Sequence, residues 1–315
     1  GIDDVRYIDS VDSLISRCIA RETVEAAYFD CYRNAMGDVD SYNMHKAKRF
    51  MQAYPAIALK DAHPMIAAMR MVKDEDEVKT LERAITVTDQ GLRRVLATLE
   101  PGRMEYQQQA EFEYEIRMRG AERVSFPTIA GSGINGCILH YGTNHCRLED
   151  GKLLLLDLGA RVDGYCADIT RTYPINGKYT PRQKQIYDIV LRANREVAKA
   201  ARPGVTLREL NDLCKKVLAE GLTAIGKIQS TDEIGRYYMH GVSHHLGLDT
   251  HDCAVREDLG LRAGMVISDE PGLYIDEEEI GIRIEDDLLI TDEGCRVLSE
   301  AIPRTTEEIE ALMAR

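Results

Sequence analysis

No stretch of this 315-residue chain approaches the ~18 apolar residues that a membrane-spanning helix needs, so a helical membrane protein is excluded. A basic-then-apolar leader is also lacking, and no signal peptide is expected. The eight cysteines, at 18, 31, 137, 146, 166, 214, 253 and 295, form no CxxC and no framework spacing. That pattern argues against a disulfide scaffold and reads as reduced thiols in a cytoplasmic protein. Basic residues are in the minority: the formal net charge of -13 argues against non-specific binding to nucleic acid or anionic membranes. The length is large for one core, which predicts a large domain with a smaller companion.

Residues 1–72 read as short alternating pieces: a helix near 13–20, a strand over 26–31, a helix near 44–52 and a strand over 56–59. Such alternation suggests part of an α/β layer. The second region, 73–315, opens on Asp74 and Glu77 in capping-box positions. Val78, Leu81, Ile85, Leu92, Val95 and Leu99 then mark one helical face before Pro101-Gly102, and a second helix is expected to run to Gly120. The plan recurs later. Thr180-Pro181 starts a helix that stops before Pro203-Gly204, and Thr206 with Glu209 caps another, expected to end at Gly221. The Pro-Gly breaks lie 102 residues apart, Gly120 and Gly221 101 apart, and His140 and His240 100 apart. These offsets suggest two similar α/β halves, the plainer alternative being chance similarity of common helix-stop signals.

Five metal-type side chains, Asp157, Asp168, His244, Glu270 and Glu285, follow in order through apolar or glycine-flanked stretches. An unpaired charge would be costly there. Leu153 to Ala160 reads as a buried strand, Asp163-Gly164 as a two-residue hairpin turn, and Tyr165 to Thr172 as the returning strand. With Val162 opposite Tyr165, Asp157 falls opposite Thr170, and Asp168 shares the face of Thr170. Two converging carboxylates repel and raise each other's pKa unless cations lie between them. Each taken alone is as readily a turn cap or an arginine's partner, Arg161 or Arg171 being candidates.

His240 and His244 are spaced like a zinc-protease helix, but Gly241 stands where that motif needs glutamate, so the zincin reading fails. A lone histidine is more often an ordinary core or surface residue. Six of the eight, however, lie between 140 and 251, the span that also holds both aspartates. In Ile280 to Glu285 the alternation puts Arg283 and Glu285 on one face. An inward arginine there orients a metal carboxylate or binds a substrate oxyanion, whereas on a solvated face the two are a plain strand pair. Four oxygen donors with one imidazole suit Mn²⁺, Co²⁺, Fe²⁺ or Zn²⁺, and the absence of cysteine ligands argues against a structural zinc.

The stretches Asp157-Leu-Gly, Asp168-Ile-Thr-Arg-Thr, His240-Gly-Val-Ser-His244, Glu270-Pro-Gly-Leu-Tyr274 and Gly281-Ile-Arg-Ile-Glu285-Asp together resemble the pita-bread metallopeptidases. The closest likeness is to Xaa-Pro aminopeptidase (aminopeptidase P), with prolidase next, over roughly residues 73–315. The resemblance implies an α/β (α+β) pita-bread catalytic domain with a two-half duplication. A creatinase-like N-terminal α/β domain would precede it, here about half the family's usual length. It implies that Asp157 chelates one cation, that His244 and Glu270 belong mainly to the other, and that Asp168 and Glu285 bridge both. A metal-bridging hydroxide would be the nucleophile. Glu270 would shuttle protons, His140, His240 and His251 would contact substrate or the developing oxyanion, and Tyr274 and Arg283 would steer ligands or substrate. Loss of His240 or His251 would slow turnover by the ~3–4 kcal/mol typical of an oxyanion donor without emptying the site. Two Mn²⁺ ions, peptide substrates with proline second, a cytoplasmic location and a homo-oligomer, a dimer, are the remaining implications.

Rivals differ in kind. Prolidase activity would share the chemistry and accept only dipeptides; a metal-free pita-bread adaptor would bind protein partners and would lack ligands that this chain has. Position 269 departs from the family, where it is usually apolar. Strand alternation predicts that Asp269 turns from the metals toward solvent or a basic partner. His145 and His245 match no role and are expected to be ordinary residues.

Overall fold

The computed structural model describes residues 4–33, 37–255 and 259–314. Contacts divide the chain into two compact units, Gly1–Ala68 and Met69–Arg315. The smaller unit holds α1 (Val11–Arg21), β1 (Ala26–Phe29), α2 (Tyr42–Ala53) and β2 (Ala58–Asp61). Its strands are parallel, with Ala26 opposite Ala58, and Ser41 caps α2 by accepting from Met44 N at 3.2 Å. The next helix, α3 (His63–Met71), was not announced by the sequence pattern.

Two helices open each half of the larger unit, and antiparallel strands follow. The first half contains α4 (Glu75–Thr98), α5 (Glu105–Met118), β3 (Arg123–Val124), β4 (Ile129–Ser132), β5 (Leu153–Leu158), β6 (Ala160–Val162), β7 (Tyr165–Cys166) and β8 (Ile169–Pro174). The second contains α6 (Pro181–Ala200), α7 (Leu207–Ala224), β9 (Val266–Asp269), β10 (Gly272–Ile275), β11 (Ile280–Arg283), β12 (Asp286–Ile290), β13 (Cys295–Val297) and a closing α8 (Thr306–Met313). The helix starts are those the sequence predicts: Asp74 accepts from Asp76 N and Glu77 N at 2.9 Å while Glu77 accepts from Asp74 N at 2.8 Å. Thr180 and Thr206 likewise cap α6 and α7 in capping boxes.

Gly102 and Gly204 both adopt positive φ, +93° and +89°, at equivalent breaks in the two halves. The glycine pair, however, is not equivalent. Gly120 ends its helix with φ +90°, whereas Gly221 lies inside α7, where a Cβ would meet Ile189 Cγ2 at 2.4 Å. Its task is close helix packing against α6, and Gly226, with φ +69°, follows the true end of α7.

The sheets are ordered β4-β5-β8, β3-β6-β7, β13-β12-β9 and β10-β11. The near-continuous leucines of β5 are buried on both faces, each leucine contributing roughly 1.5–3 kcal/mol of burial. Strand β8 is tied to the second half: Glu285 N donates to Thr170 O at 3.0 Å, and Arg283 N to Thr172 Oγ1 at 3.2 Å. Acidic and basic groups of both halves are thereby brought to one place. Among the described residues no helix is long and apolar enough to cross a membrane.

Candidate metal centre

The hairpin forms in the register expected. Asp157 lies opposite Thr170 and Val162 opposite Tyr165, around a turn in which Asp163 and Gly164 take φ +46° and +86°. Strand pairing lapses at Gly159 and Asp168, where the returning backbone comes so close that a Cβ on Gly159 would lie 1.8 Å from Ala167 O. Glycine permits that approach, and Asp168 is presented inward beside it.

Asp168, His244 and Glu285 place ligand atoms within 4.8 Å of one another. His244 Nε2 lies 3.4 Å from Asp168 Oδ2 and 3.5 Å from Glu270 Oε1. The ring's Nδ1 faces His245 O at 3.1 Å and must donate to it, which leaves an Nε2 lone pair directed at two carboxylate oxygens. Burial, then His251, pulls the His244 pKa down to about 4, so a proton does not resolve that opposition. A cation would.

Asp157 is held differently. Arg283 Nη2 donates to its Oδ2 at 2.6 Å, and its Oδ1 is buried with no hydrogen-bond partner among the described residues. Glu285 accepts from Thr170 Oγ1 at 2.6 Å, and the same hydroxyl accepts from Arg283 Nε at 3.2 Å. Arg283 and Glu285 therefore do share an inward face, but the arginine's partner is Asp157 and not its strand neighbour. Arg171, offered as a partner for the aspartates, instead binds Asp286 at 2.7 Å.

A relay runs outward from Arg283. Its Nη1 donates to Tyr274 Oη at 2.9 Å, Tyr274 donates to His240 Nε2 at 2.8 Å, and His240 Nδ1 donates to Gly241 O at 2.8 Å. Both nitrogens of His240 are thus engaged. Its Nδ1 lies 3.8 Å from Glu270 Oε2, and burial, then Arg283, lowers its pKa to about 4. His251 stacks edge-on against His244 with centroids 4.4 Å apart, and His140 is near enough to act electrostatically on both His240 and His251. These contacts link Asp157, Asp168, His240, His244, Glu270, Tyr274, Arg283 and Glu285, with His251 against His244 and His140 near His240 and His251.

Asp269 corrects the sequence reading. Alternation does turn it from the site, but that face is packed under α6, where the carboxyl is fully buried and accepts from Asn194 Nδ2 at 3.2 Å. Asp286, its ladder partner, takes the same donor at 3.2 Å. Burial, then Asp286, holds Asp269 well above the usual carboxylate range. His245, expected to carry no role in the site, is buried, with Nδ1 unpartnered among the described residues.

Sequence reasoning missed Glu105. Its carboxylate accepts from Ser132 N and Oγ, Asn135 Nδ2, Tyr141 Oη and Cys146 N at 2.6–3.0 Å, fixing the segment that carries His140. An acid in a helix's first turn ordinarily faces water, so the pattern gave no signal.

Burial, then Glu285, raises the Asp168 carboxyl well above its ordinary range; burial, then Glu270, does the same to Glu285; and burial pushes Glu270 up to about 7. Groups raised on folding stabilise the fold in their protonated form, fully below the unfolded value and no longer above the folded one. The chelated protein should therefore lose stability as pH rises from about 5 to about 8, and added divalent cation should restore more at the upper end. Thermal unfolding with and without chelator reads this, and a metal-free Tm that climbs over that interval contradicts it.

The folded scaffold and this set of donors define a pita-bread metallopeptidase. The description Metallopeptidase family M24 matches residues 79–292, and the chain belongs to that family. It is 39% identical over 307 residues to the Xaa-Pro aminopeptidase of Escherichia coli K12, covering 92% of this chain and 68% of that one. A Bacillus anthracis structure assigned to aminopeptidase P superposes with TM-score 0.96 at 43% identity, covering 99% of this chain and 75% of the other. Aminopeptidase P from E. coli with the inhibitor Pro-Leu superposes with TM-score 0.87 at 34% identity, covering 99% and 75%.

Proposed function

We propose that the chain carries the catalytic machinery of an Xaa-Pro aminopeptidase, hydrolysing the bond between an N-terminal residue and a following proline. The observation that carries this reading is the convergence of Asp168, Glu270 and Glu285 on an unprotonated His244 Nε2, with Asp157 joined through Arg283. Such a donor set fits two divalent cations, Mn²⁺ in our reading, which Asp157, Asp168, His244, Glu270 and Glu285 would hold. Bound there, the cations would supply an acidified water and polarise the scissile carbonyl.

The chain's own groups do the rest. Glu270 takes and returns a proton, a role that the 3.8 Å approach of its Oε2 to His240 Nδ1 supports. Arg283 and Tyr274 hold Asp157 and His240 in fixed orientations. His140 and His251 border the same cluster and are suited to grip substrate carbonyls. Residues 1–72, in this reading, belong to the creatinase-like N-terminal domain, which the alternation of helix and strand supports. A cytoplasmic homodimer completes the proposal.

Hydrolysis of Arg-Pro compared with Arg-Pro-Pro tests it: the tripeptide should be cleaved after arginine, and exclusive cleavage of the dipeptide would instead establish a prolidase. Fewer than about one bound cation per chain, with no recovery on adding Mn²⁺, would favour the metal-free adaptor.

A further inference from the structure

Behind His251 lies a buried group of charges that the hydrolytic reading leaves unused. Asp252 turns inward, its side chain 1% exposed, and Arg70 Nη2 meets its Oδ1 at 2.6 Å. Lys73 Nζ, equally buried, lies 3.8 Å from Oδ2 and donates to Met71 O at 3.4 Å. The backbone closes on the same residue: Asp252 N donates to His245 O at 2.9 Å, and Cys253 N donates to Oδ1 at 2.9 Å. Gly247 passes directly over it, since a Cβ there would stand 2.4 Å from Asp252 Oδ2. The segment from His245 to Cys253 is thus folded back, its far end fastened onto its start, and the residue before the fastening point is His251.

Burying Asp252 and Lys73 under the partly exposed Arg70 costs more than an apolar plug of equal volume, so stability alone is a weak account of them. A directional device is a better one. A carboxylate clasped between a guanidinium and an ammonium has a defined place and rotation, which an apolar contact would not impose. We propose that Asp252, clasped by Arg70 and Lys73, is a positioning residue that sets the ring of His251 edge-on against His244. The proposal rests on the reading of His251 as a substrate contact.

A double-mutant cycle tests it with Arg-Pro-Pro as substrate and Mn²⁺ content and Tm measured alongside. Asp252→Asn should lower kcat about tenfold or more, with metal content retained and KM little changed. In a His251→Ala background the same substitution should cost no more than about twofold, because the residue it positions is gone. Wild-type kcat in Asp252→Asn, or losses that simply multiply in the double variant, would overturn the proposal. Should Asp252→Asn fail to fold, Arg70→Gln, whose side chain is partly exposed and which leaves Lys73 in place, goes through the same cycle under the same criteria. A fully active His251→Ala would overturn the reading of His251 and this proposal with it. An impaired His251→Ala with an additive cycle sinks the positioning role alone.

Discussion

Asp168→Ala is expected to lose metal and Xaa-Pro cleavage together, with turnover down about a thousandfold or more. The magnitude follows because metal activation supplies several kcal/mol of barrier reduction and about 1.4 kcal/mol is tenfold. The location is as important as the size. Asp168 is buried opposite Gly159, its backbone N reaches Asp287 Oδ2 at 3.3 Å, and its carboxylate faces His244. Alanine removes no packing volume that the core needs, and it relieves repulsion with Glu285, so the chelated variant should be at least as stable as the chelated parent. Loss of activity with retained or improved metal-free stability would therefore separate a ligand from a structural acid. Undiminished activity would refute the bridging role. Metal analysis, steady-state cleavage of Arg-Pro-Pro and thermal unfolding of both chelated proteins read the three arms.

Arg171→Met should produce the largest loss of stability, about 3–5 kcal/mol, the range for breaking a buried ion pair from one side. The guanidinium is fully buried and donates to five acceptors: Pro303 O, Thr170 O, Glu285 O, Ile302 O and Asp286 Oδ1. Methionine fills much of the volume but satisfies none of them, and carbonyls left unpaired in the interior are costly. Asp286 retains Ser299 at 2.6 Å and Arg304 at 3.2 Å, which limits the penalty. Arg171 Nη1 also holds Glu285 O at 2.6 Å, so cation affinity should weaken as well. Chemical denaturation of the chelated and Mn²⁺-loaded proteins checks both effects, and a change below about 1 kcal/mol would mean that the surroundings repack around the loss.

Much of this centre was legible in the chain because period-two alternation and a two-residue turn are strictly local rules. Asp163-Gly164 determines the register that puts Asp157 opposite Thr170, and nothing distant is needed to deduce it. The helix starts at Asp74, Thr180 and Thr206 were equally local. What was hidden depends on which element covers which face. Alternation placed Asp269 away from the site correctly, but only the position of α6 decides that this side is interior and not solvent. Glu105 was invisible for the same reason: the segment it anchors lies 27–41 residues further on, and first-turn acids are normally exposed. Gly221 looked like a helix stop because glycine serves both termination and close packing, and only contact with Ile189 distinguishes the two. Alternation put Arg283 on the face of Glu285 but left open whether that face is inward or solvated, because the deciding link to Asp157 crosses 126 residues of sequence and joins the two halves.

The account stands on the five side chains sharing a pair of cations. Anomalous diffraction from crystals soaked in Mn²⁺ measures that directly. The expected map shows two peaks about 3.5–4 Å apart, flanked by Asp157, Asp168, His244, Glu270 and Glu285. A map without peaks among these residues, with Mn²⁺ bound elsewhere or not at all, would contradict it.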